Sequence, residues 1–218
     1  TEVKRLIQLG GSVILPSANL SLFCVAAQNG HVDIIEAMSA SKADINTPNK
    51  VGYTPVLIAA ELGHVDVIKA LCGFGADVNI PNKVGQTPVL IAAAVGHLDA
   101  IKALCGFGAD VNIPNKVGQT PVFIASVLGH LDTIKALCGL GADVNIPDKD
   151  GATPVYIATQ NGDADAIEAL CGFGANVNTP YKDGFTPVCI AAQKGHVDAI
   201  EALCGLGANV NIPTKDGA

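Results

Sequence analysis

The string IKALCGFGADVNIPNKVGQTPV occurs at residues 68–89 and again, without a change, at residues 101–122. The offset between the two copies is 33 residues, and the dipeptide Thr-Pro recurs at this interval at positions 54–55, 87–88, 120–121, 153–154 and 186–187. A unit of this length is too short to bury an apolar face by itself, so units with such a period stack on one another. The sequence therefore predicts a repeat solenoid and not one central core.

Each unit carries the start and stop signals of two short helices. In one unit, Thr54 is suited to cap free backbone N–H groups, Pro55 to occupy the first helical position, and Gly63 to close the helix. A second helix is predicted from Asp66, whose carboxylate favours a helix N-terminus, to a stop at Gly73. The rest of the unit is rich in Gly, Asn, Asp and Pro, which predicts turns that form an extended finger. Helices this short are marginal alone, so packing on neighbouring units has to stabilise them.

The stretch GYTPVLIAAELGHVDVIKALCGFGADVN at residues 52–79 resembles the ankyrin repeat, whose pattern runs G-x-T-P-L-H-x-A-A-x-x-G-H, then a helix, then G-A-D-V-N. The resemblance implies an all-α repeat solenoid of stacked antiparallel helix pairs with β-turn fingers. One departure is systematic, because the His of T-P-L-H is absent and we expect an apolar contact in its place. The substituted residues are Leu57, Leu90, Phe123, Tyr156 and Cys189.

The repeat pattern makes the chain one single ankyrin-like array with partial units at both ends. Residues 1–16 match the end of a preceding repeat, and residues 214–218 match the start of a further repeat. The full repeats are predicted at 17–48, 49–81, 82–114, 115–147, 148–180 and 181–213. The last of them keeps the internal apolar pattern, so we expect an array cut at both ends and lacking a polar C-terminal cap.

All five histidines occupy one repeat position, directly after the Gly that ends the first helix. They are His31, His64, His97, His130 and His196. A zinc or catalytic site needs side chains that converge, with Zn–N distances of about 2.1 Å, whereas stacked equivalents are about 8–10 Å apart. We therefore expect the histidines to make turn and helix-end hydrogen bonds, and we predict no catalytic residue, no metal site and no cofactor.

Two further rows at fixed repeat positions are predicted to be structural. Disulfides require Cα atoms within about 7 Å, which stacked equivalents exceed, so we expect the seven cysteines to be free, buried thiols in a reducing compartment. They are Cys24 and Cys189 on first helices, and Cys72, Cys105, Cys138, Cys171 and Cys204 on second helices. A second row, Phe74, Phe107, Leu140, Phe173 and Leu206, is expected to pack between successive repeats.

Charge and hydropathy narrow the classes of partner. The formal net charge of -7 disfavours nucleic acid, whose phosphates attract basic surfaces. The lysine row of the fingers comprises Lys50, Lys83, Lys116, Lys149, Lys182 and Lys215. A polyanion could follow such a row, but aspartates interrupt it, and we expect a solvated edge.

No apolar run approaches the ~20 residues that span a bilayer, and no signal peptide is recognisable, so we expect a monomeric cytoplasmic protein without membrane contact.

Positions that differ between repeats indicate where stacking does not dictate the residue. In the ankyrin family such finger and first-helix positions face a concave groove that contacts partners. The predicted partner-binding residues are Val51, Tyr53, Glu61, Leu62, Val84, Gln86, Val95, Val117, Gln119, Val127 and Leu128. The later repeats are polar at these positions, with Asp150, Gln160, Asn161, Asp183, Gln193 and Lys194. A contiguous apolar patch would mark a contact surface, unless adjacent first helices hide it.

These observations favour a non-enzymatic protein-protein interaction module that binds a partner protein through the concave groove. One alternative is a structural spacer or elastic segment of a larger protein, with no partner in the groove. Another is an engineered consensus-like repeat scaffold, which the nearly identical units would fit. The chain contains no phosphate-binding loop, nucleophile elbow or paired-carboxylate motif that would indicate an enzyme.

Overall fold

The computed structural model describes residues 22–40 and 43–213, and all regular structure in these two ranges is helical. Three predicted features lie outside the described residues: the partial repeat at 1–16, the first finger up to residue 21, and the start of a further repeat at 214–218. Within the described ranges the helices come in pairs, as the two start and stop signals of each unit predict.

The chain divides into two compact units, Thr1–Asp110 and Val111–Ala218. The helices of the first unit are α1 (Leu22–Gln28), α2 (Val32–Ser39), α3 (Pro55–Glu61), α4 (Val65–Gly73), α5 (Pro88–Val95) and α6 (Leu98–Gly106). The helices of the second unit are α7 (Pro121–Leu128), α8 (Leu131–Gly139), α9 (Pro154–Asn161), α10 (Ala164–Gly172), α11 (Pro187–Lys194) and α12 (Val197–Gly205), with a short 3-10 helix at Lys182–Gly184.

Within each unit, helices stack on their equivalents in the next repeat. In the first unit α3 packs between α1 and α5, α4 packs between α2 and α6, and each first helix also contacts its own partner. In the second unit α9 packs between α7 and α11, and α10 packs between α8 and α12. The predicted all-α solenoid of stacked antiparallel helix pairs with turn fingers is therefore confirmed.

The first helices begin at the predicted Thr-Pro signal. The hydroxyl oxygen of Thr54 accepts from the Leu57 N–H at 3.3 Å, and Thr87, Thr120 and Thr153 make the equivalent bond. Each threonine is buried, so the bond satisfies an N–H group that water cannot reach, and such caps typically contribute about 1 kcal/mol. Thr186 departs from the pattern and donates to the sulfur of Cys189 at 3.2 Å.

The second helices end at the predicted glycine, but a later glycine supplies the left-handed conformation. Gly73 is the last helical residue, and the left-handed residue is Gly75, with a φ of 89°. The Gly75 N–H donates to the Cys72 carbonyl and the Ala76 N–H to the Leu71 carbonyl, both at 3.0 Å. This pair of bonds is a Schellman motif, which requires the positive φ one residue beyond the C-cap. The predicted helix end is therefore correct, and only the left-handed residue is the later of the two glycines.

The core confirms the apolar contact predicted at the position of the missing histidine. Leu57, Leu90, Phe123 and Tyr156 are all buried on the inner side of their first helices. In the second unit Phe123 and Tyr156 cluster with Ala152 and Ile190, and the Tyr156 ring stacks on Tyr181 with centroids 4.8 Å apart. Large apolar side chains thus fill the space between the helix starts and the fingers.

Candidate functional site

The fingers hold their exposed residues in a fixed geometry. The side-chain oxygen of Asn49 accepts from the N–H groups of Val51 and Tyr53 at 3.1 and 3.0 Å. The Asn49 N–H donates to the Tyr53 carbonyl at 2.9 Å, which closes the turn. The Val51 side chain consequently projects into solvent and is 61% exposed. The same turn is built on Asn82, Asn115 and Asp148.

Two predicted binding residues, Gln86 and Gln119, are engaged by their own fingers. The Asn82 side-chain nitrogen donates to the Gln86 side-chain oxygen at 2.8 Å, and Asn115 donates to Gln119 at 3.1 Å. Both glutamines are half-buried. A partner would therefore meet side-chain amides that the finger has already oriented.

The aliphatic residues predicted on the fingers and first helices are exposed, whereas Tyr53 is half-buried. In the first unit Leu62 is 44% exposed, Val95 49% and Val84 56%. In the second unit Val117, Val127 and Leu128 are exposed as well. Glu61 is exposed next to Leu62. The alternative in which adjacent first helices hide these side chains is therefore wrong.

One concavity in the first unit brings four of the predicted residues together. It has a volume of about 460 Å³, and its walls include Val51, Tyr53, Glu61 and Leu62. Gln28, Asn49 and Ile58 complete the lining. Gln28 comes from the irregular first repeat, where the repeat pattern gave no basis for singling it out. The lining thus combines apolar side chains with two side-chain amides and the carboxylate of Glu61.

Some of the polar residues predicted for the later repeats form hydrogen bonds or ion pairs within the second unit. The side-chain nitrogen of Asn161 donates to the carbonyls of Ser126 and Val127, at 3.2 and 3.1 Å, and so links two neighbouring first helices. Asp150 forms an ion pair with Lys182 of the next finger. Gln160, Gln193 and Lys194 are exposed at the ends of their helices. The hydrogen bonds of Asn161 were not predictable, because they depend on the register between repeats.

The histidines pack against the preceding repeat more than they cap helices. A Cβ atom placed at Gly63 would lie 3.0 Å from the His97 ring, and one at Gly162 would lie 2.8 Å from His196. His196 Nε2 lies 3.2 Å from the Gln160 carbonyl, which is a helix-end contact of the predicted kind. None of the five makes a side-chain cap bond to its own helix. In the described ranges no three His, Cys, Asp or Glu side chains are placed to hold a metal ion.

The seven cysteines form no disulfides and differ in burial. Cys24 and Cys138 are buried, four others are half-buried, and Cys204 in α12 is exposed. Burial raises the pKa of Cys72, Cys138 and Cys171 to about 11. The expectation of uniform burial is therefore wrong for Cys204, which lies in the last described helix.

The row of Phe74 and its equivalents is exposed, so its predicted packing between repeats is wrong. These residues are the C-caps of the second helices, where the chain leaves the helix just before a left-handed glycine and the side chain points into solvent. In the described ranges the lysine row is exposed, as predicted, and comprises Lys50, Lys83, Lys116, Lys149 and Lys182. Lys83 also reaches the preceding finger, where it donates to the Lys50 carbonyl at 2.7 Å.

Helix pairs, capped helix starts and turn fingers define a class, the all-α repeat solenoids built from helix pairs. Within that class, the sequence model described as ankyrin repeats (3 copies) matches residues 3–82, 74–148 and 140–214, so the chain belongs to the ankyrin-repeat family. Ankyrin repeats are generally protein-interaction modules and are typically not enzymes.

Comparison with solved structures gives the same family. The chain is similar to an ankyrin repeat domain from Acinetobacter baumannii AYE, with 28% sequence identity and a TM-score of 0.81. The alignment covers 86% of this chain and 98% of that domain. The comparison with curated proteins finds no match. Among the helices of the described ranges, none has the length and apolar character that crossing a bilayer requires.

Proposed function

We propose that the chain is a non-enzymatic module that binds a partner protein through the exposed apolar residues of its fingers and first helices. The observation that carries the proposal is the exposure of Val51, Leu62, Val84 and Val95 in the first unit, between 44% and 61%. Apolar side chains gathered on one type of surface position commonly mark a contact site. In the second unit the equivalent residues Val117, Val127 and Leu128 are exposed in the same way, and the proposal includes them as partner-binding residues.

The later repeats favour partner binding over the two alternatives, a structural spacer and an engineered scaffold, as the reason for these exposed apolar residues. At the positions of Glu61 and Leu62, the last two repeats carry Gln160-Asn161 and Gln193-Lys194 and still form the same helix pair. Stacking therefore accepts polar residues at these positions. A chain selected for stacking and solubility alone would gain nothing from leucine and valine there.

The concavity beside Tyr53 favours a partner of particular chemistry. Its apolar walls would take an aliphatic or aromatic side chain, and the Glu61 carboxylate at its edge would favour a basic residue beside that anchor. Large apolar side chains in desolvated pockets dominate the energetics of protein interfaces. The net charge of -7 would favour a basic segment over an acidic one during association.

The proposal includes a monomeric chain in the cytoplasm. The seven free thiols suit a reducing compartment, and the acidic surface suits a protein partner better than nucleic acid. Sedimentation of the purified chain over a wide concentration range tests the monomer. A mass that rises with concentration would contradict it.

The binding surface is tested with a partner captured by the wild-type chain and then purified. The double variant Leu62→Glu with Leu128→Glu is expected to weaken its binding at least ~30-fold, the equivalent of losing one hot spot of about 2 kcal/mol. The two single variants report on the two units separately. Because both side chains are exposed, the melting temperature should change little.

The matched control introduces the same charges elsewhere. Phe74→Glu with Leu140→Glu replaces two exposed apolar residues at second-helix C-caps, and it should leave binding unchanged. Equal loss in both double variants would show a nonspecific effect of charge. Loss of binding only in the control would move the site to the second-helix side and refute the proposal.

A further inference from the structure

The ends of the first helices in the first unit differ in chemistry from one repeat to the next. The two residues before the helix-ending glycine are Gln28-Asn29 after α1, Glu61-Leu62 after α3 and Ala94-Val95 after α5. The three repeats therefore present two amides, then a carboxylate with a leucine, then a purely aliphatic pair. A partner that lies along these helix ends meets a different chemistry at each repeat.

The carboxylate of Glu61 has no counterion in the part of the chain that the structure describes, because no ion pair or hydrogen bond reaches it there. It lines the concavity of about 460 Å³ together with Tyr53, Leu62 and the side-chain amide of Gln28. A carboxylate attracts a cation directly, and an aromatic ring attracts one through its face. The apolar stem of a lysine or arginine packs on a residue such as Leu62. This end of the surface therefore favours a basic side chain.

The finger of the following repeat holds a hydrogen-bond donor for a peptide backbone. The side-chain oxygen of Gln86 accepts from Asn82 Nδ2 at 2.8 Å, so the finger fixes the Gln86 amide through its oxygen. Among the described residues no hydrogen bond engages the Gln86 side-chain nitrogen. A carbonyl of an extended segment can accept from this nitrogen, whereas the carbonyls within a helix are already bonded. The donor therefore favours an extended occupant over a helical one.

The same repeat also offers an aliphatic contact. Val84 on the finger and Val95 after α5 are 56% and 49% exposed, and the small Ala94 beside Val95 leaves room for a side chain. Equivalent helices of packed repeats lie about 8–10 Å apart, and an extended chain advances about 3.3 Å per residue. A segment that places a basic residue at Glu61 therefore places the third residue along the chain at Val84 and Val95.

We propose that the first unit binds an extended segment of its partner in which a lysine or arginine and an aliphatic residue are three positions apart. Glu61 selects the basic side chain, Val84 and Val95 contact the aliphatic one, and Gln86 donates to the backbone between them. The apolar anchor next to the basic residue occupies the concavity beside Tyr53. This inference rests on the proposed function and adds the order of side chains that the partner segment needs.

The test selects peptides from a random library of short displayed peptides against the full chain. We expect the enriched peptides to carry Lys or Arg three positions from Leu, Ile or Val. A synthetic peptide of the enriched sequence should bind the Glu61→Gln variant at least ~5-fold more weakly than the wild type, because an ionic hydrogen bond is lost. Replacing the basic residue of this peptide by Glu should weaken its binding to the wild type and restore binding to Glu61→Lys.

Glu36→Gln is the matched control, because Glu36 is an exposed carboxylate on the second helix α2 of the same unit. This variant should leave the affinity of the peptide unchanged. An equal loss in Glu36→Gln and Glu61→Gln would assign the effect to net charge and overturn the inference. Enrichment of peptides without a basic residue, or no enrichment at all, would also overturn it.

Leu62→Ser separates this inference from the proposed function, because it removes an exposed apolar side chain without adding a charge. Loss of peptide and partner binding in Leu62→Ser, with wild-type affinity in Glu61→Gln, would refute the role of Glu61 and leave the proposed function standing. Wild-type affinity of both ligands in both variants would contradict the inference and the proposed surface together.

Discussion

Single residues were predictable where their role is local. Thr54 could be recognised as a helix cap, because the bond to Leu57 lies within one turn of the chain. The packing of His97 on Gly63 was not predictable, since it joins two repeats whose register the sequence does not state. Exposure of Phe74 was missed for a related reason, because an apolar residue at a helix C-cap can point inward or outward depending on the backbone of the exit turn.

The contact between His97 and Gly63 gives a prediction about two glycines. Gly63 and Gly75 both have positive φ, at 69° and 89°, but a Cβ atom at Gly63 would meet the His97 ring at 3.0 Å and one at Gly75 would meet nothing within 4 Å. Gly75→Ala should cost about 1–2 kcal/mol of backbone strain in urea unfolding. Gly63→Ala should cost roughly 1 kcal/mol more, because the ring has to move. The excess should vanish in a His97→Ala background, and equal costs in the wild-type background would refute the contact.

The buried thiols give a prediction about alkaline pH. The pKa of Cys72, Cys138 and Cys171 is about 11 in the folded chain, above the value of about 8.5 expected in the unfolded chain. The folded state therefore holds these protons more tightly, so their contribution is complete below pH 8.5 and is lost as the pH rises toward 11. The urea midpoint should fall over this range. A variant with all three replaced by Ala should show a smaller fall, and an equal fall would assign the effect to other groups.

The helices were more predictable than the connections between repeats. The start signals located α3, α5, α7, α9 and α11, because Thr and Pro act on the turn that follows them. The asparagine bonds between repeats could not be derived, although the pattern V-N recurs throughout. A turn rich in Asn is expected on local grounds alone, and only the structure shows that Asn145 bonds to the next repeat.

The asparagine bonds give a prediction at the scale of neighbouring elements. Asn145→Ala removes one accepted and one donated hydrogen bond between successive repeats, and it should lower the free energy of unfolding by about 1–2 kcal/mol. Asn145→Asp keeps the acceptor but directs an oxygen at the Gly174 carbonyl, so it should cost at least as much. Asn211→Ala in the same chain is the matched control and should be neutral, because within the described residues no hydrogen bond reaches the Asn211 side chain. A neutral Asn145→Ala in urea titrations would show that these bonds do not stabilise the stack.

At the scale of the whole molecule, the 33-residue period predicted a stack of short units, and the start and stop signals predicted two helices in each unit. The resemblance to the ankyrin repeat implied the antiparallel arrangement of those helices and the fingers. The partner-binding residues are less predictable from the repeat pattern than the architecture is. Exposure of Leu62 and Leu128 shows that these residues are available, but affinity depends on a second molecule whose shape and charge are not encoded here. The predicted site residues therefore remain a proposal, whereas the fold is established.

The order in which repeats open is the last prediction. In a stack where each repeat contacts only its neighbours, stability is the sum of the repeats and their interfaces, so a repeat with one uncovered face opens most easily. In the second unit α12 carries the exposed Cys204 and precedes the exposed Val210, whereas α10 is packed between α8 and α12.

Amide hydrogens of Val197–Gly205 should exchange at least ~10-fold faster than those of Ala164–Gly172, a difference of about 1.4 kcal/mol in opening free energy. Slowest exchange in residues 181–213 would contradict the prediction.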